Sequence, residues 1–131
     1  MRSFVGIKTG LLAVSFGLVA CSADVSVESA GVFTSPGRSA ELIVTRSNYG
    51  ATVPYVYRFY VKQPESELEE KLEVLRTDSF EGMQVEWSEE AVLELRCVRG
   101  HVFKFSSVAY LKGQSYRVEL DTKCKTDQQK T

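Results

Sequence analysis

The run Met83-Gln84-Val85-Glu86-Trp87-Ser88 and, after a short break, Leu93-Glu94-Leu95-Arg96-Cys97 decide how this chain reads. Apolar and polar residues alternate strictly in both. A period of two belongs to a β-strand, whose successive side chains point to opposite faces, so one face is buried and the other wet. The pattern recurs on either side. Tyr116, Val118 and Leu120 alternate with Arg117, Glu119 and Asp121, and Phe103 and Phe105 flank Lys104. Towards the N-terminus, the run from Ala40 to Arg46 is entered through the turn Ser35-Pro36-Gly37-Arg38. Val53, Tyr55, Tyr57, Phe59 and Val61 share one face of the next run. Val56 and Tyr60 lie on its other face beside Arg58 and Lys62, so this strand is expected to be covered on both sides. The prediction is an all-β domain: a single antiparallel sandwich or strongly curved sheet of about seven to eight strands.

One segment departs from the pattern. Pro64 to Arg76 carries Ser66 followed by Glu69, the spacing of a capping box, with Leu68, Leu72 and Leu75 at helical intervals. Leu72-Glu73-Val74-Leu75-Arg76 also suits a strand. The expectation is one short helical turn near Glu65–Glu70 running into a strand from Lys71 to Thr77.

The first twenty residues differ in kind. Arg2 and Lys8 form a positive start, and Gly10 to Ala20 is uncharged and mostly apolar. That run is too short to cross a bilayer, which takes about 20 residues, and it suits a secretion signal. It ends in Leu18-Val19-Ala20-Cys21, which resembles the lipobox of bacterial lipoproteins, where the cysteine thiol receives a diacylglycerol and the preceding peptide is removed. The alternative is an ordinary signal cut after Ala23. The expected organisation is a signal peptide over 1–20, a tether over 21–26 with lipidated Cys21, a β domain over 27–124 and a disordered tail over 125–131. The lipid anchors the chain to the cell membrane or outer membrane without spanning it, facing the periplasm or exterior. Ser22 after the cysteine resembles the outer-membrane sorting pattern.

With 131 residues, 44% hydrophobic and 25% charged, the chain fits one globular domain. Its net charge of −1 gives no bulk attraction to nucleic acid. If Cys21 carries lipid, Cys97 and Cys124 remain as an even pair. An oxidising compartment favours a disulfide between them, and two unrelated buried thiols are the alternative. Both cysteines continue apolar faces of their strands. In a plain three-strand meander a middle strand would hold them too far apart. A bridge therefore requires neighbouring strands, or a tail folded over the sheet end.

Ser35-Pro36-Gly37, Asn48-Tyr49-Gly50-Ala51-Thr52, Val85-Glu86-Trp87 and Leu93-Glu94-Leu95 together resemble a family of small exported bacterial proteins of uncharacterised function. The likeness runs from about Thr34 to Leu120. The chain departs from that pattern at Gly37, which follows Pro36 with no Asp between, and at Tyr49, where a cysteine often stands. Any bridge made from that cysteine is absent. The resemblance implies a fold and a compartment, and no chemistry.

No constellation names a reaction. His101 is the only histidine and, following Gly100, reads as a turn residue at a hairpin tip. No nucleophile elbow, Ser-x-x-Lys pair or zinc motif occurs, so no metal or cofactor is implied. Between Glu65 and Glu94 eleven acids stand against Lys71 and Arg76, while from Leu95 onward eight bases stand against three acids. The two readings of this split are an acidic docking patch containing Glu86 and Glu94, and a solvated acidic face paired with a basic one. Asn48, Tyr49 and Thr52 form a second candidate, a polar and aromatic turn able to contact glycan or protein. Here the alternative is a plain turn in which Gly50 takes positive φ. The expected function is non-enzymatic: a lipid-anchored envelope protein that binds a protein or glycan partner or serves a structural role. The competing class is a small envelope hydrolase using a carboxylate pair, which requires two acids flanking a cleft.

Overall fold

The computed structural model describes residues 25–64 and 70–124 of the chain. Nine strands fill them: β1 (Ser26–Thr34), β2 (Glu41–Asn48), β3 (Val56–Lys62), β4 (Leu72–Thr77), β5 (Gln84–Glu89), β6 (Val92–Arg96), β7 (Val102–Phe105), β8 (Val108–Leu111) and β9 (Gln114–Leu120). They form a five-stranded sheet A, ordered β1-β2-β3-β4-β7, and a four-stranded sheet B, ordered β5-β6-β9-β8. The all-β sandwich is as expected, with one more strand than the upper figure. Of the helical turn expected near Glu65–Glu70, all but Glu70 lies outside the described residues, while its continuation as a strand is β4.

The alternating residues close the core between the sheets. Leu42, Val44, Phe59, Val61, Val74 and Leu75 of sheet A face Trp87, Leu93, Leu95, Tyr116 and Val118 of sheet B, all buried. Each such side chain removed from water contributes about 1.5–3 kcal/mol. Val74 and Leu75 are adjacent yet both buried because the β3–β4 register shifts at this point, between Phe59 and Tyr60. Polar bonds tie sheet to sheet at one edge. The Trp87 indole N–H donates to the Phe33 carbonyl at 2.9 Å. The Glu90 carboxylate, in the β5–β6 turn, accepts from the Gly37 and Ser39 N–H groups and the Ser35 hydroxyl of the β1–β2 turn.

Four expectations need correction. Sheet B is not wholly antiparallel: β6 and β9 run parallel, with Leu93 opposite Val118 and Leu95 opposite Leu120. After β6 the chain crosses to sheet A as β7 and returns as β8. The crossing back is made at Ser106, whose N–H donates to Val74, and Ser107, whose carbonyl accepts from Val118. His101 is therefore in a crossover between sheets and not at a hairpin tip. Phe103 and Phe105 are exposed, because β7 is the outer strand of sheet A. Val53 and Tyr55 precede β3 in an exposed loop, so only Tyr57, Phe59 and Val61 of their set lie on the strand.

Parallel pairing of β6 and β9 brings the cysteines together. Cys97 and Cys124 are disulfide-bonded with Cα atoms 4.2 Å apart. Beyond the strand ends the ladder continues: Asp121 N–H to Leu95 O, Val98 N–H to Asp121 O and Cys97 N–H to Lys123 O, at 2.9, 3.2 and 3.0 Å.

Candidate functional site

The Asn48–Thr52 turn is shaped by its own residues. The Asn48 side-chain oxygen accepts the Gly50 N–H at 3.0 Å, and Gly50 adopts φ +128°, a conformation other residues rarely take. Tyr49 turns towards sheet A, where its hydroxyl accepts from Arg58 at 2.9 Å. That bond, aided by the guanidinium charge, holds its pKa below the ordinary tyrosine value despite partial desolvation. Thr52 is exposed on the loop. A cavity of about 320 Å³ is lined by Asn48, Gly50, Ala51, Val53, Pro54 and Tyr55, with neither Tyr49 nor Thr52 in its wall. The three residues do not converge on one site.

Tyr49 instead joins a cluster on the outer face of sheet A that the linear charge pattern conceals. Glu73 on β4 is its centre, its side chain only 11% exposed. Arg76 donates to it from Nε at 2.9 Å, Lys104 lies 3.4 Å away and Arg58 3.6 Å. Burial pushes the Glu73 pKa up, but hydrogen bonds and charge from Arg76 and then Lys104 outweigh it and hold the group below its ordinary value. Arg58 also donates to Ser47 at 3.0 Å. One acid thus sits among three cations.

Sheet B presents the reverse. The register sets Glu86 opposite Glu94 and Glu94 opposite Glu119, so three carboxylates stand abreast across β5, β6 and β9. They alternate with buried Val118, Leu93 and Leu95, and so face outward. Adjacent strands are about 4.8 Å apart, and like charges directly opposite one another oppose folding. Two arginines flank the row. Arg96 binds Glu94 and lies 3.9 Å from Asp121, while Arg117 reaches Glu119 at 3.0 Å. Arg96 Nε is buried with no acceptor. The Glu94 side chain is 14% exposed and that of Glu119 48%.

Among the described residues Glu90 is the most perturbed acid. Hydrogen bonds from the Ser39 side chain and the Gly37 N–H, followed by those from the Ser39 N–H and Ser35, lower its pKa to about 2. It is a structural clasp between turns. His101 is bound through its backbone, its N–H donating to Asp78 Oδ1 at 2.7 Å. Two further surface cavities, of about 380 and 300 Å³, each contain one carboxylate, Glu70 and Glu28 respectively, and neither includes Glu86 or Glu94. Among the described residues no group of three His, Cys, Asp or Glu side chains is arranged to hold a metal ion, and no helix is long and apolar enough to cross a membrane. Cys21 lies outside the described residues. Comparison with known protein families, with curated proteins and with solved structures finds no match to this chain.

Proposed function

We propose that this chain is a lipid-anchored envelope protein of non-enzymatic type that binds a cationic protein partner through the outer face of sheet B. The lipobox-like end of the leader and the resemblance to small exported proteins support the compartment. The observation that carries the binding reading is the carboxylate row Glu86–Glu94–Glu119. Such a row suits a partner presenting lysines or arginines on a flat surface, where charge steers encounter and fixes orientation.

The test is the double substitution Glu86→Gln and Glu94→Gln, with capture from solubilised envelope measured beside the wild type. Two carboxylates at about 0.5–1 kcal/mol each predict a roughly tenfold loss of affinity at low salt. The difference should shrink above about 0.5 M salt, where the Debye length falls to a few ångströms. Equal capture at low salt by both proteins would remove sheet B as the docking face.

A further inference from the structure

We infer that the sandwich sits on the bilayer by one particular end, and that the loop Gly50–Tyr55 makes the contact with lipid. The inference rests on the proposed acylation of Cys21 and adds an orientation to it.

The registers identify the end. Ser26 lies opposite Asn48, Ser47 opposite Val56, Tyr57 opposite Thr77, and Thr77 opposite Val102. The start of β1, the β2–β3 loop, the turn after β4 and the start of β7 therefore share one end of sheet A. Cys21 and Ser26 are five residues apart in the sequence. That is at most about 18 Å of fully extended chain. A lipid on Cys21 keeps this end close to the membrane surface, whereas the β8–β9 turn, at the other end of the strands, is held farther away.

What this end exposes is suited to that surface. Gly50-Ala51-Thr52-Val53-Pro54-Tyr55 carries no charge. Val53 and Tyr55 are 47% and 41% exposed, and Val25, Val27, Val102 and Phe103 are exposed at the same end. The Arg46 guanidinium lies over the Tyr55 ring, 4.5 Å from its centroid. An aromatic ring beside a cation on a long apolar stem is a pairing that favours the headgroup layer, because ring and stem lie in the apolar boundary while the charge stays wet. The neighbouring acids are engaged within the domain. Glu28 binds Arg46, Asp78 accepts the His101 N–H and Asp121 accepts the Lys123 N–H. Glu81 is also exposed near this end, on the sheet B side, alongside the bases Arg99 and Lys123.

The acylated full chain, reconstituted in phosphatidylcholine–phosphatidylglycerol vesicles, gives the readout. Val53→Trp and, as the opposite-end control, Gln114→Trp are compared by quenching with brominated lipids, after subtracting the signal of the wild type, which contains Trp87. The Val53→Trp emission should fall by roughly half and that of Gln114→Trp hardly at all. Intact mass and flotation, with Cys21→Ala as reference, report the anchor separately. A chain that is acylated and floats but shows no more quenching at position 53 than at 114 overturns the orientation and leaves the anchor standing. Contact through another surface would give that result. A wild type that is not acylated overturns both.

Discussion

Replacing both Cys97 and Cys124 by alanine should lower stability by about 3.5 kcal/mol, because the bridge closes a 27-residue span of chain and its chief effect is on the unfolded state. The folded geometry should survive. Three backbone hydrogen bonds continue the β6–β9 pairing around the disulfide, and none needs the sulfur atoms. Alanine is the better replacement, since Cys97 is buried and a serine hydroxyl there would need a partner. Cys97 already stands at φ +61°, so alanine brings no backbone strain that cysteine lacks.

For a domain of about 100 residues the loss corresponds to a melting temperature lower by roughly 15–25 °C. In urea the midpoint should fall by about 1–3 M, with a larger m-value, because the unlinked chain exposes more surface when it unfolds. Wild-type protein unfolded in the presence of reductant should show the same shift with no change of sequence. A melting temperature within about 5 °C of wild type, in the mutant and the reduced protein alike, would refute the chain-entropy argument.

Glu90→Gln should destabilise the domain at neutral pH. The Glu90 pKa is depressed to about 2, so the carboxylate's contribution is complete above its ordinary value of 4.5 and disappears as pH falls through about 2. Melting curves of wild type and mutant should therefore converge across that window, and a constant gap would contradict the clasp. Glu73→Gln leaves Arg58, Arg76 and Lys104 facing one another and should cost about 1–3 kcal/mol, partly recovered in 0.5 M salt, by urea titration at both ionic strengths. Gly100→Ala should cost about 1–3 kcal/mol in the same assay. Gly100 has φ +79°, and a Cβ there would meet the Asp78 carboxylate that holds the His101 N–H.

The alternating runs made the class of fold and the inner faces of β6 and β9 legible, because burial on one face writes its period directly into the residues. Sheet membership was not legible. Nothing local in Leu93–Cys97 or Tyr116–Leu120 tells that they pair in parallel. That follows from where the chain goes between them, and the Ser106–Ser107 crossing is a tertiary choice. Phe103 and Phe105 looked like core for the same reason, since period two marks two faces but does not distinguish an edge from a centre. The charge totals misled in a related way. Glu73 belongs to the acidic segment by sequence but sits among three cations in space. Glu119 belongs to the basic one but completes the row begun by Glu86 and Glu94. Adding charge along a chain averages over strands that are not neighbours.

Stability alone gives little reason for that row. A wet position in a central strand is satisfied at lower cost by threonine, which favours the strand and repels nothing. Each directly opposed like-charged pair costs up to about 1 kcal/mol, and surface arginines return a similar amount at best. Sheet A handles its outer face differently, surrounding Glu73 with Arg58, Arg76 and Lys104 and pairing Glu41 with Lys62. The outer faces of one small sandwich therefore carry opposite excess charge, with Glu86, Glu94, Glu119 and Asp121 against Arg96 and Arg117 on sheet B. Opposed excesses make the domain dipolar, and a dipolar domain turns one face towards an approaching cation before contact. If the Ser26 end rests on the bilayer, both sheets stand upright from the membrane and their outer faces open sideways. A cationic partner moving along the membrane surface then meets the carboxylate row face on, and the anchor supplies an orientation that charge steering would otherwise have to find by rotation.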